Sequence, residues 1–258
     1  MDSLYRYADL ETRLRATGHA LGVIVLAFVV GALGLQILAI PVLGLFVDIT
    51  VDNQLTPVAS IVLSIVQFVG FMGVAIAYVR WRDVTLFGAA FPSLKDIGWI
   101  VGGLFALFGS VIVLGYIIQF LGIESAENTV VEMGRQNPDF FLYMVPVALL
   151  FIGPGEELLF RGVVQGLLRQ AYGVVPAVLA TSALFGVAHY LALSGGGKLT
   201  YIAIAGALGI VLGAAYELSG NIVVPSVIHG IYNAILFFGN WVIETQDIPQ
   251  QAATFLPW

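Results

Sequence analysis

The sequence predicts an all-α fold: a polytopic membrane bundle of about seven (seven to eight) transmembrane helices with a short amphipathic N-terminal helix. Three observations carry this. Of 258 residues, 59% are hydrophobic and 10% charged, with a mean hydropathy of +0.97, whereas a soluble domain carries about 25% charged residues. Charge that sparse cannot cover a water-soluble globule of this size. Apolar runs near the ~20 residues that span a bilayer recur along the chain. Only short polar punctuators separate them, so no linker divides the chain. The same composition argues against nucleic-acid binding, since 10 Lys+Arg against 16 Asp+Glu leave a net charge of -6. The absence of cysteine excludes disulfides, thiolate metal sites, iron–sulfur clusters and a cysteine nucleophile.

The opening stretch, MDSLYRYADLETRLRA, is polar and charged, and Leu4, Tyr7, Leu10 and Leu14 form one apolar stripe. This spacing predicts an amphipathic interfacial helix over 1–16, with residues 17–258 forming a single transmembrane domain. The apolar run that follows is too long for the core of a cleavable signal. Spanning runs are read at 19–47, 57–79, 97–121, 139–171, 174–194, 200–218 and 221–243. The fourth would reach ~50 Å as a straight helix, so it tilts, protrudes or bends near Gly153–Pro154–Gly155. Small residues at four-residue spacing (Gly98, Gly102, Ala106 and Ser110 in the third run; Ala205, Gly209 and Gly213 in the sixth) predict close helix packing.

Orientation follows from basic residues. With the N-terminus cytoplasmic, Arg6, Arg13, Arg15, Arg80, Arg82, Lys95 and Arg169 lie on that side. Only Arg135 and Lys198 lie opposite, with Arg161 inside a helix. An integral protein of a prokaryotic cell membrane with a cytoplasmic N-terminus is the resulting expectation.

Ionisable side chains inside apolar runs cost about 2.5–3.5 kcal/mol on insertion scales and by default mark function. Here they form three clusters. In the fourth run, Glu157 and Arg161 are one helical turn apart and can pair. Glu156 points about 100° away and stays free of that partner. In the fifth, Phe185 and His189 are one turn apart; in the seventh, His229 and Asn233 project to one side. His19, at the start of the first run, reads as interfacial. Glu156 and His189 lie 16 and 17 residues from the turn at Tyr172–Gly173, so they sit at matching height. His229 lies nearer its own turn at Ser219–Gly220, so the fourth-to-fifth hairpin must protrude ~10 Å further for the three to meet.

The set Glu156-Glu157-x-x-x-Arg161, Phe185-x-x-x-His189 and His229-x-x-x-Asn233, in this order on successive membrane helices, resembles the CAAX prenyl endopeptidase family. These are the type II CAAX proteases and bacteriocin-processing enzymes. The glycine-rich sixth span before Asn221 and Pro225 is similar too, and the resemblance covers roughly 140–240. It implies an intramembrane endopeptidase whose catalytic part spans about 139–243. The residue matching Glu156 would activate water, assisted by that matching His189, while His229 and Asn233 stabilise the oxyanion. Glu157, Arg161 and Phe185 would support them. The implied substrate is a peptide or prenylated protein reached through the bilayer, with membrane lipids around it.

Elementary chemistry leads to the same roles. Peptide hydrolysis needs a base on water and donors aimed at the developing oxyanion. A carboxylate paired with a guanidinium is a weaker base, so the base is the unpaired glutamate. Neither a serine nucleophile elbow nor an H-E-x-x-H zinc signature is present. No cofactor is required by this reading, although Glu156, His189 and His229 could form a His₂Glu zinc site. A non-catalytic membrane scaffold or immunity protein and a proton-coupled transporter are the alternative functions. The polar residues crowd into the second half without a counterpart in the first, unlike the repeats of transporters.

Overall fold

The computed structural model describes residues 3–51 and 54–246. Among them, seven helices are long and apolar enough to cross a membrane. They are α1 (Leu10–Leu43), α2 (Pro57–Arg82), α3 (Leu94–Leu121), α4 (Asp139–Tyr172), α5 (Val174–Ala192), α6 (Lys198–Ser219) and α7 (Val223–Thr245). A short helix, Thr129–Gln136, precedes α4. Outward faces are apolar, as Phe105, Val113 and Phe120 of α3 and Leu26, Val29 and Leu33 of α1 illustrate. The protein is an integral membrane protein with an all-α bundle.

Helix ends follow local chemistry. The Thr56 hydroxyl caps α2 by accepting from the Ala59 N–H, with Pro57 in the first turn, where no N–H is needed. Ser93 and Asp96 form a reciprocal capping box on α3. Gly220 closes α6 with φ of 68°, a left-handed conformation that costs glycine nothing.

The expected N-terminal helix requires correction. Residues 3–9 are not helical; Asp9 caps α1 by accepting from the Thr12 N–H, and the helix runs from Leu10 without a break into the first span. Residues 1 and 2 of the expected element lie outside the described residues. The backbone of the non-helical segment is instead used by the α4–α5 turn. Arg6 N–H donates to Tyr172 O at 2.8 Å, and Val175 N–H donates to Leu4 O at 3.1 Å. Gly173 sits there at φ +87°, and a Cβ on it would lie 2.7 Å from Arg6 N.

α4 is the most buried of the seven, and it does not break at Gly153–Pro154–Gly155. That stretch stays α-helical within Gly153–Glu157, while π-helical turns flank it at Ala148–Ile152 and Leu158–Gln165. Such turns widen the helix locally and are frequent at functional sites. The extra reach of the α4–α5 hairpin is also present. The α6–α7 turn is tied to the α2–α3 loop, where Ile222 N–H donates to Gly88 O and the Asn221 amide bonds both the N–H and the O of Ala90. The same loop lays Phe87 and Leu86 on Gly162 and Gly166 of α4. The turns from there to Tyr172 therefore extend roughly 10 Å beyond the α6–α7 turn.

Of the two small-residue stripes, the sixth-span one packs as expected. A Cβ on Gly209 would meet Arg161 Nη2 at 3.1 Å and Ser182 Cβ at 3.2 Å. The third-span stripe does not: Gly98 and Gly102 face open space, and Gly103, against Ile228, is the glycine in contact. α3 touches the bundle along one face only, so the remaining small residues on it meet no partner helix.

At the end of the bundle opposite the N-terminal segment, two strands pair. β3 (Glu127–Asn128) lies antiparallel to β4 (Leu193–Ser194), with Asn128 opposite Leu193. A second pair, Thr50–Val51 with Gln54–Leu55, closes the α1–α2 loop.

Candidate active site

Close approach of α4 and α7 creates the site. Gly153 is a contact point, where a Cβ would stand 2.7 Å from Ser226 O and 2.8 Å from Gly230 N. Gly230 in turn presses on the α4 backbone, with a would-be Cβ 3.1 Å from Leu149 Cα. With no side chain at either crossing, the residues one turn along α4 meet those beside Gly230. These are Glu156 and Glu157 against His229.

The two glutamates part as their 100° offset predicts. Glu157 is fully buried and accepts from Arg161 Nη1 at 2.8 Å, with Arg161 also fully buried. The same Glu157 oxygen accepts from His229 Nδ1 at 2.8 Å. Arg161 is held further by Nη2 donating to Gly209 O at 3.0 Å, and its guanidinium lies 4.4 Å from the centre of the Phe185 ring. A buried charge needs such complete pairing, because leaving it bare costs several kcal/mol.

Glu156 has none of this. Its Oε2 is buried without a hydrogen-bond partner, and His229 Nε2 stands 3.7 Å away, beyond direct bonding range. The carboxylate faces a cavity of about 210 Å³. His189, His229 and Asn233 line that same cavity, as does Phe185. No hydrogen bond to another described residue engages the Asn233 amide.

His189 closes the arrangement from α5. Its Nδ1 lies 2.8 Å from Phe185 O. A carbonyl only accepts, so Nδ1 carries the proton and the neutral ring keeps its lone pair on Nε2. The Phe185 ring packs edge-on against both histidines, with centroids 4.7 Å from His189 and 5.8 Å from His229. All seven side chains singled out in the sequence thus gather around one cavity or its immediate wall. His19 lies elsewhere and bonds the Tyr78 hydroxyl at 2.9 Å.

The zinc alternative does not fit this arrangement. Among the described residues, no three His, Asp or Glu side chains are placed to hold a metal ion.

Several cavity residues escape sequence reading. Tyr201 and Asn128 line it, along with Ser64 and Asn240. None is ionisable in the ordinary range, and Asn128 arrives from a loop, so periodicity offers no signal for it. The rest of the cavity wall is apolar and includes Leu107, Met144, Ile204 and Leu208. Gln165 and Glu217 form a further buried link, Gln165 Nε2 donating to Glu217 Oε1 at 2.7 Å. Here a signal existed: Gln165 continues the i, i+4 series of Glu157 and Arg161.

No curated protein and no solved structure matches the chain. Residues 138–235 match the family model described as type II CAAX prenyl endopeptidase Rce1-like, a protease family, so the segment that holds Glu156, His189, His229 and Asn233 is similar to that family.

Proposed function

We propose that the protein is an intramembrane endopeptidase that hydrolyses a membrane-embedded or lipidated peptide by glutamate-activated water. The observation that carries this is the division of labour in the Glu156–Glu157 pair. One carboxylate is locked to Arg161 and His229, and its neighbour is left unpaired in a cavity shared with two histidines and an amide.

In this reading Glu156 takes a proton from a water while the water oxygen attacks the peptide carbonyl carbon. His189, with its Nε2 lone pair free, accepts a hydrogen bond from the water's other O–H, which stays intact, and so orients that water. The carbonyl π electrons move to oxygen, and Asn233 donates to the oxyanion formed. His229, held by its Nδ1 bond to Glu157, lines the cavity with Asn233 and would be a second oxyanion donor when Nε2 carries a hydrogen. Collapse breaks the C–N bond, and Glu156 returns its proton to the leaving nitrogen. The apolar wall suits a substrate whose flanking groups are hydrophobic, which is why a prenylated or membrane-inserted peptide fits better than a soluble one. No nucleic acid and no cofactor enters the scheme, and the cytoplasmic N-terminus read from the basic residues belongs to this proposal.

The test is cleavage of a prenylated CAAX reporter peptide by purified protein. Glu156→Gln and His189→Ala are expected to lower kcat by at least ~10²-fold, the usual contribution of a positioned acid–base group. Undiminished turnover in either variant removes the assignment.

A further inference from the structure

We infer that Tyr201 is a further catalytic residue, its hydroxyl donating a hydrogen bond to the substrate carbonyl oxygen as that oxygen becomes the oxyanion. This deepens the peptidase reading and rests on it. Tyr201 stands in the first turn of α6 and lines the cavity with Glu156 and His189, its ring 6.1 Å from the His189 ring between centroids.

The direction of its hydroxyl follows from a chain of donors. Val130 N–H donates to Asn128 Oδ1 at 2.9 Å. A backbone N–H cannot accept, so this bond fixes which end of the Asn128 amide is oxygen and turns its NH₂ the other way. That NH₂ reaches the Tyr201 hydroxyl oxygen at 3.4 Å, a long bond in which Asn128 is the donor. Tyr201 therefore accepts, and its single O–H is not spent on Asn128. Among the described residues no acceptor takes that O–H. A phenol hydrogen lies near the ring plane and has two positions, and the Asn128 amide occupies one of them. The other holds the hydrogen, and the Tyr201 side chain that carries it lines the cavity.

Asn128 is itself held in place. It caps the Thr129–Gln136 helix, and β3–β4 pairing sets it opposite Leu193, four residues after His189. The strand pair thus fixes the Asn128 amide relative to the segment that carries His189. Tyr201 moves no proton in the reaction; it supplies one neutral donor to the charge that develops on oxygen, while proton transfer stays with Glu156. Loss of one such donor costs about 10²–10³-fold in kcat.

Two substitutions separate this from a structural tie between α6 and the short helix. Tyr201→Phe keeps the ring and removes the O–H; kcat on the prenylated reporter is expected to fall about 10²-fold at unchanged KM. Asn128→Asp keeps the helix cap, because aspartate caps as well as asparagine, and keeps the bond from Val130 N–H. It replaces the donor by an acceptor and so spends the Tyr201 hydrogen on the new carboxylate. The expected kcat then matches that of Tyr201→Phe, and the double variant is no slower than either single one. A structural tie predicts the opposite, since the tyrosine–carboxylate bond would still join the two elements and Asn128→Asp would turn over normally. Wild-type kcat in Tyr201→Phe, or in Asn128→Asp, overturns the role of Tyr201. Additive losses in the double variant overturn it as well, because they would point to the new charge. Inactive Glu156→Gln beside fully active Tyr201→Phe removes the Tyr201 role alone, whereas fully active Glu156→Gln removes the peptidase reading and the Tyr201 role together.

Discussion

Adjacent side chains on one helix meet different worlds here, and the difference is electrostatic. Glu157 faces Arg161 and His229 with no exposure to solvent, so it serves as a fixed counter-charge. Removing one partner of a fully buried pair strands the other and costs about 3–5 kcal/mol. Glu157→Gln should therefore lower the thermal unfolding temperature in detergent sharply, along with activity. Glu156→Gln alters a side chain whose Oε2 has no hydrogen-bond partner, so it should unfold like the wild type while losing turnover. Equal unfolding temperatures for the two variants would show that the pair is not divided in this way. The same logic explains Phe185, whose backbone oxygen fixes the His189 tautomer while its ring covers Arg161.

The crossing of α4 and α7 decides whether those side chains meet. A methyl at Gly153 would stand within 2.8 Å of backbone atoms of Ser226 and Gly230, and backbone cannot swing aside as a side chain can. Overpacking typically costs about 1–3 kcal/mol. Gly153→Ala is expected to shift the helices apart, reducing both the unfolding temperature and turnover. By contrast Gly102→Ala, which fills open space on α3, should leave both unchanged. The start of α1 carries a separate, titratable device. Hydrogen bonds from the Thr12 N–H and hydroxyl hold the Asp9 carboxyl below its ordinary value of 3.8. A depressed folded value means that the cap contributes fully above the unfolded pKa and fades as pH falls through the lower folded one. Helicity at the start of α1 should therefore decline on acidification below about pH 4. Asp9→Asn, which caps without titrating, should abolish that decline when followed by amide hydrogen exchange.

On the scale of the whole molecule, the N-terminal segment acts as a brace for the hairpin that carries the two glutamates and His189. Residues 3–8 bond the backbone of the α4–α5 turn at several points, and Gly173 is doubly constrained there, by its positive φ and by the backbone of Tyr5 and Arg6 pressed against it. Gly173→Ala would have to hold a left-handed conformation and displace that segment. We expect a loss of at least ~1 kcal/mol of stability and easier proteolysis of the N-terminal residues, with the cavity residues still in place. Unaltered protease resistance would show that the brace does not depend on this turn.

The fold class and the three polar clusters were readable because lipid is an unforgiving solvent. Spanning runs must be apolar, so Glu156, Glu157, Arg161, His189 and His229 stand out against them, and the 3.6-residue period separates Glu156 from Glu157 before any coordinates are known. Helix ends are readable for the same reason to within about four residues, except the start of α1, which lies at Leu10 rather than 19. Residues 3–9 depart from the helical expectation because periodicity weighs only side chains, whereas the turn at Gly173 offers backbone partners that hold this segment in a non-helical course. Likewise Asn128 and Tyr201 carry no charge and lie far apart in sequence. The sequence by itself determined that costly polar groups sit on three spans and which of them pair locally, since i, i+4 contacts are a property of one helix. Only the tertiary structure decided that the three spans share one cavity, how far the α4–α5 hairpin overreaches the α6–α7 turn, and which loop amide orients Tyr201, because helix crossings and strand pairings depend on contacts between residues that no local period connects.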